Sequence, residues 1–363
     1  MSSITARSAV VAPAIYCMPA PRVARGPAVE ELVARMAGLG FDHLLIALPL
    51  LPDSAESLSV DDVRALTRVL AAHGMGLMLD LPAGCAAAHA PLLAWVEAGA
   101  AGFRALLPQR LPAATWRDVI ARARAARPDL LMLAWTLGLS PAEVDPLAAA
   151  GFDRSIGSQP WWDGRAPWLA REYEGRRQVP LPTIGLVEDP ERPRLAATAE
   201  GRDSAFLRRL RHRALALAAT TGAGLLMPMG FETAPGADGT DEPAIAEAIA
   251  LMRRCAPLAM PGQLLPLTGA GAPVAAFARA AGGDLRRAPE AALILANASL
   301  TTAASLSPDS VLAAFDGRFP DLGRVFPTGP GDALRPGRPI ILAPGEVAVF
   351  AGAAVAPRPA PRP

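Results

Sequence analysis

Eight short apolar runs, separated by longer stretches with apolar residues at helical spacing, set the limits on what this chain can fold into. The runs are Ala14–Met18, His43–Pro49, Gly76–Leu81, Phe103–Leu107, Leu130–Thr136, Arg154–Gly157, Thr183–Val187 and Gly224–Met229. Their alternation with helix-like segments predicts an α/β fold with a parallel sheet. Helices are expected over Val29–Met36 behind Pro27, Val60–Ala72 behind Ser59, Ala113–Ala126, Pro141–Ala149 behind Ser140, Phe206–Thr220 behind Ser204, and Pro243–Met252. In the third of these, Trp116, Val119, Ile120 and Ala123 share one face and Arg117, Arg122 and Arg124 lie elsewhere, as a helix covering a sheet requires. Eight such units in about 255 residues match a (β/α)₈ TIM barrel better than a doubly wound sheet.

After Pro257 the texture changes to β-like runs at Val274–Ala278, Ala291–Ala296, Arg324–Phe326, Pro339–Leu342 and Glu346–Phe350. These predict a small C-terminal antiparallel β-sandwich domain. The expected division is a barrel over 1–261, a β domain over 262–352 and a disordered Pro/Arg tail over 353–363, because the last residues cannot pack a core.

Composition removes several classes of function. The 363 residues carry 35 basic and 34 acidic side chains, a formal net charge of +1, which gives no electrostatic footprint for nucleic acid or an anionic membrane. Every basic side chain is arginine, so Schiff-base, pyridoxal-phosphate and P-loop lysine chemistry is excluded. Cys17, Cys85 and Cys255 and the four histidines His43, His73, His89 and His212 lack metal-ligand spacing. No metal or cofactor is expected, since neither G-x-G-x-x-G after the first strand nor a calcium-type D-x-D-x-D-G run occurs. With no apolar run of about 18 residues, the expected location is cytoplasmic, without disulfides.

In a barrel the chemistry sits at the C-terminal strand ends and the loops behind them. Those positions hold Asp80, Arg104, Trp135, then Trp161, Trp162 and Asp163, then Glu188, Asp189, Glu191, Arg192 and Arg194, and finally Glu232. Aromatic faces with carboxylates and arginines suit a carbohydrate pocket. Two plainer explanations stand beside that one. Trp161 and Trp162 could be barrel-edge packing, and the acidic and basic residues of 188–194 could be a solvated salt-bridge cluster.

Several fragments in order carry a resemblance. They are Gly102-Phe103-Arg104; Leu133-Ala134 with Thr136-Leu137-Gly138; Gly151-Phe152-Asp153 with Trp161-Trp162-Asp163 and Ala166-Pro167-Trp168-Leu169; and Pro193-Arg194-Leu195 with Met227-Pro228-Met229-Gly230-Phe231-Glu232. Together they resemble glycoside hydrolase family 13, the α-amylase family, and its maltosyltransferase-like bacterial members. The resemblance implies a (β/α)₈ barrel followed by a β-sandwich, closed by a strand within Leu342–Phe350. It also implies chemistry on α-linked glucosides by a carboxylate nucleophile and a carboxylic acid/base, which must face each other about 5–5.5 Å apart for retention.

The chain departs from the family at those positions. The nucleophile's place, two residues after Arg104, holds Leu106, and the acid/base's place holds Trp135. The third family carboxylate aligns with Glu191, preceded by Pro190 in place of histidine. Asp80 keeps the strand-three aspartate, while the asparagine and histidine that should follow fall on Gly84 and Cys85, and the loop there is short. No catalytic set is intact. Binding is expected at Asp80, Arg104, Trp161, Trp162, Asp163, Glu188, Asp189, Glu191, Arg194 and Glu232.

Three functions follow as expectations. One is a pseudoenzyme of glycogen or maltooligosaccharide metabolism that binds an α-glucan or an active carbohydrate enzyme. A second is an active α-glucoside hydrolase or transglycosylase using relocated carboxylates such as Asp80, Glu188 and Glu232. The third is a structural or assembly protein whose mouth is filled by Trp135 and leucines.

Overall fold

The computed structural model describes residues 12–20, 27–47, 58–88, 90–169, 171–172, 181–233, 240–260, 262–281, 284–328 and 333–355. Residues 48–49 of the second predicted run and 356–363 of the predicted 353–363 tail lie outside these; Ala353, expected in that tail, instead ends a strand of the C-terminal sheet, paired with Glu290.

Eight parallel strands close into a barrel in chain order: β1 Ala14–Pro19, β2 His43–Ala47, β3 Gly76–Pro82, β4 Gly102–Leu106, β5 Leu131–Ala134, β6 Arg154–Ile156, β7 Thr183–Leu186 and β8 Leu225–Pro228, with β8 returning to β1. Period-two alternation divides each strand. Ile15, Cys17, Leu45, Met78, Leu131, Leu133, Ile156, Ile184, Leu186 and Leu226 pack inside the barrel. Tyr16, Met18, Leu44, Leu77, Leu79, Phe103 and Ala105 pack outward beneath the helices.

The helices start where the sequence marks them. Ser59 and Asp62 form a reciprocal capping box at the head of the Val60–Ala72 helix, each side chain receiving the other's backbone N–H at 3.2 Å. Trp116, Val119, Ile120 and Ala123 are the buried face of the Ala113–Ala126 helix. Between β3 and β4 stand two further helices, Ala83–Ala88 and Ala90–Glu97, which no amphipathic pattern announces because Ala90–Glu97 is apolar almost all round.

Beyond the barrel lies a five-stranded antiparallel sheet in the order β13-β15-β11-β10-β9, with a two-stranded β12-β14 sheet. The strands are β9 Gly262–Pro266, β10 Val274–Ala281, β11 Glu290–Asn297, β12 Ala304–Leu306, β13 Gly323–Phe326, β14 Ile340–Leu342 and β15 Val347–Ala353. β15 runs inside the sheet between β11 and β13. Val274, Ala276, Leu293, Leu295, Ala348 and Phe350 pack on the side of β12 and β14. Ala275, Phe277, Ile294, Val347 and Val349 pack against the barrel's Leu217, Leu251 and Leu258. Both faces are buried, so these strands read as unbroken apolar runs.

Arg279 of β10 fastens the two layers. It is 1% exposed, and its Nη1 donates to the carbonyls of Thr220 and Gly222 at the end of the Ser204–Thr221 helix. Nη2 donates to Met260 at 3.1 Å and Leu258 at 3.5 Å. Arg279→Ala strands these carbonyls, at about 1–3 kcal/mol for each buried unpaired group. Denaturant unfolding should show a loss of at least about 2 kcal/mol; a loss within about 0.5 kcal/mol contradicts the clamp.

Candidate functional site

Strand parity selects what faces the barrel's mouth. On β3, Met78 and Asp80 share the inward side, and on β4 Arg104 does, directly paired with Asp80 in register. Arg104 Nε donates to Asp80 Oδ1 at 2.5 Å and Nη2 to Oδ2 at 2.7 Å, with both side chains fully buried. Burial pulls the guanidinium's pKa down, but the Asp80 carboxylate outweighs it and holds Arg104 charged well above its ordinary range. Beneath the pair lies the buried thiol of Cys17, pushed up to about 12 by desolvation. Cys17 carries no motif; only strand parity on β1 places it there.

Trp135, just past β5, lays its ring over Arg104, 4.5 Å from the guanidinium carbon to the ring centroid. Leu106, on the same inward side as Arg104, is 6% exposed. Arg104 Nη1 is buried and meets no acceptor among the described residues.

The loop after β7 supplies the remaining polar groups, and most of them are already committed. Glu188 accepts from Leu195 N at 2.8 Å and pairs with Arg194 at 3.1 Å, and Arg194 also donates to the Met229 carbonyl behind β8. Asp189 accepts the Glu191 N–H at 2.9 Å and pairs with Arg192 at 3.5 Å. Glu188, Asp189, Arg192 and Arg194 do pair with one another, but both carboxylates are buried and the cluster is not the solvated one expected. Glu191 differs. Its side chain is 49% exposed and stands 3.7 Å from Arg104 Nη2. Burial raises its pKa, with Arg104 opposing and Asp80 and Asp189 adding to the rise. Burial also raises that of Glu188, against the Leu195 N–H and Arg194.

Four of the expected binding residues lie elsewhere. Glu232 is 2% exposed and accepts from the outward-facing Tyr16 hydroxyl at 2.7 Å, Arg35 at 3.2 Å and Gly230 N at 2.9 Å. It braces the barrel's outer layer. β6 ends after three residues, and the chain then crosses the outer wall, where Gln159 reaches the Thr221 hydroxyl at 3.3 Å. Trp162 follows it outward, edge-on to Phe277 of β10 with ring centroids 5.8 Å apart, its indole N–H on the Ala166 carbonyl. Asp163 caps the adjoining turn by accepting the N–H groups of Arg165 and Ala166, which hold its carboxyl below the ordinary range. Trp161 shares that outer segment and is 45% exposed. The barrel-edge explanation holds for Trp162.

Among the described residues no group of three or more His, Cys, Asp or Glu is placed to hold a metal ion. No described helix is long and apolar enough to cross a membrane.

No family model matches the chain. It is 36% identical over 294 residues, 71% of its length, to an α-1,4-glucan:maltose-1-phosphate maltosyltransferase of Burkholderia pseudomallei, of which the match spans 26%. The chain thus covers about a quarter of that relative. An α-amylase of Geobacillus thermoleovorans superposes over 95% of this chain and 99% of its own with a TM-score of 0.70 at 13% identity. An α-amylase of Anoxybacillus superposes over 95% and 98% with a TM-score of 0.71, also at 13%. The cyclic α-maltosyl-(1→6)-maltose hydrolase of Arthrobacter globiformis reaches 0.66 over 94% and 98%, again at 13%. At these identities the structures speak for the fold.

If the Asp80–Arg104 pair holds the mouth, Asp80→Asn should cost about 3–5 kcal/mol, because it leaves a buried guanidinium without its counter-charge. The double replacement Asp80→Leu with Arg104→Met should cost much less. Equilibrium unfolding checks both, and a cost for Asp80→Asn below about 1 kcal/mol would show the pair to be incidental.

Proposed function

Since the chain belongs to glycoside hydrolase family 13, the α-amylase family, we propose that it is a non-hydrolysing member that binds α-glucan at the barrel mouth and serves α-glucan metabolism beside an active enzyme. One observation carries this reading: among the described carboxylates of the mouth, only Glu191 is half exposed, with a single loose ion pair to Arg104 at 3.7 Å. Glycoside hydrolysis needs two carboxyl groups across the bond, about 5–5.5 Å apart for retention or about 6.5–9.5 Å for inversion. Asp80 is fully buried in its ion pair, and Glu188 is tied to Arg194 and Leu195. Neither can attack a sugar carbon without breaking those bonds. Leu106 cannot form a glycosyl ester, and the indole of Trp135 has no proton to transfer near neutral pH.

What remains suits recognition of neutral hydroxyls. Glu191 offers a half-exposed acceptor at the rim, with the Trp135 ring beside it as an aromatic surface. Relocated catalysis is the weaker alternative, since Glu232, one of the carboxylates it needs, braces the outer layer of the barrel. A purely structural role draws on the Trp135 ring that covers Arg104, but it leaves the exposed Glu191 without a use. Support for an enzyme partner comes from the maltosyltransferase, in which the homologous stretch is about a quarter of a longer chain. The partner would be a maltosyl-transferring or glucan-cleaving enzyme.

Calorimetric titration with maltotetraose tests the binding claim. The expected result is saturable heat that Glu191→Ala weakens by about tenfold, the loss of one good polar contact. Absence of binding by the unaltered protein would move the function to assembly alone.

A further inference from the structure

Negative charge is in surplus around Glu191. Its carboxylate stands 3.7 Å from Arg104 Nη2 with half the side chain open to solvent. Arg104 favours its ionised form, while Asp80 and Asp189 act against it. The chain itself holds Asp189 close, since Asp189 Oδ1 accepts the Glu191 N–H at 2.9 Å. From β3 and β4 across to the loop after β7, Asp80, Glu188, Asp189 and Glu191 are joined in ion pairs to three arginines, Arg104, Arg192 and Arg194. One negative charge is left over, and Glu191 is the carboxylate that carries it to the solvent. Arg110, exposed on the 3₁₀ turn behind β4, pairs with none of these four among the described residues.

The arginines of this group are turned inward. Proteins hold phosphate through the planar guanidinium fork, which grips two oxygens at once. Arg104 gives its fork to Asp80 through Nε and Nη2, at 2.5 and 2.7 Å, and is fully buried. The Trp135 ring covers its face. Arg194 is divided between Glu188 and the Met229 carbonyl, and Arg192 leans on Asp189 at 3.5 Å. A phosphate monoester carries about −1.5 to −2 charges near neutral pH. Brought to this rim it meets the Glu191 carboxylate, while the nearest guanidinium fork is already filled by Asp80. A neutral glucose unit has no such difficulty, because its hydroxyls donate to the same carboxylate and its C–H face suits the aromatic ring.

We infer that Glu191 is the specificity-determining group of the mouth, admitting neutral α-glucan and turning away glucan that carries phosphate esters. This rests on the reading that the mouth binds α-glucan, and adds a charge filter at its rim. Such a filter acts through space, so salt weakens it as the Debye length falls from about 10 Å at 0.1 M to about 3 Å at 1 M. Exclusion by shape alone would not respond to salt.

Calorimetry at pH 8, above the ordinary carboxylate range, compares maltoheptaose with maltoheptaose monophosphate on the full chain and on Glu191→Gln, once thermal melting shows the variant to be folded. At about 0.05 M salt the unaltered protein should bind the neutral ligand about tenfold more tightly, and at about 1 M by less than about threefold. This salt arm needs no variant. Glu191→Gln should bind the neutral ligand about threefold more weakly and the phosphorylated one about threefold more tightly, which brings the two together. Equal affinities in the unaltered protein at low salt, tighter binding of the phosphorylated ligand, or a preference that survives both salt and Glu191→Gln overturns the filter and leaves the mouth reading standing. Binding of neither ligand by the unaltered protein removes the mouth reading, and the filter with it.

Discussion

An ion pair sealed inside the barrel, Asp80 with Arg104, governs what the mouth can do. Neighbouring strands present the two residues in register, and two parallel hydrogen bonds join them with no exposure to solvent. Burying such charges is costly, and the attraction offsets the cost only when geometry is good and the pair stays intact. Neither member is then available to a substrate as a free charge. Trp135 closes one face of the guanidinium, and Leu106 occupies the inward position two residues on. Among the described carboxylates of the mouth, Glu191 at the rim has half its side chain exposed.

A second constraint is the shortness of β6. Three residues of pairing leave the chain too early to build a rim loop over the mouth, so it turns outward and packs between the last barrel helices and the C-terminal sheet. The Trp162–Phe277 contact and the Arg279 clamp belong to the same junction. Residues that sequence order places after a strand end are thereby carried to the barrel's side. The same chain path that holds the two layers together also presents Trp161 to solvent.

This explains which parts of the molecule the sequence discloses. The eight barrel strands and most of the sheet strands are legible because apolar runs and turn residues record them locally. The inward placement of Leu106 and Trp135 is legible because strand parity fixes it. Glu232 is misplaced by the same logic: its strand end is right, but the 3₁₀ turn Phe231–Thr233 swings its carboxylate to Tyr16 and Arg35, a tertiary contact across 216 residues that no local pattern encodes. Trp162 and Asp163 fail for want of the length of β6. The Ala90–Glu97 helix and the short strands β9 and β12 escape notice because a uniformly apolar or a very short segment has no period to read.

The central claim is that this barrel can hold an α-glucan and cannot cleave or transfer it. Prolonged incubation of the protein with maltoheptaose, followed by ¹H NMR of the anomeric protons, tests that claim most directly. The account predicts an unchanged spectrum, with no new reducing ends and no new linkages. New anomeric signals that disappear in the Glu191→Gln variant would contradict it and establish Glu191 as part of a working catalytic pair.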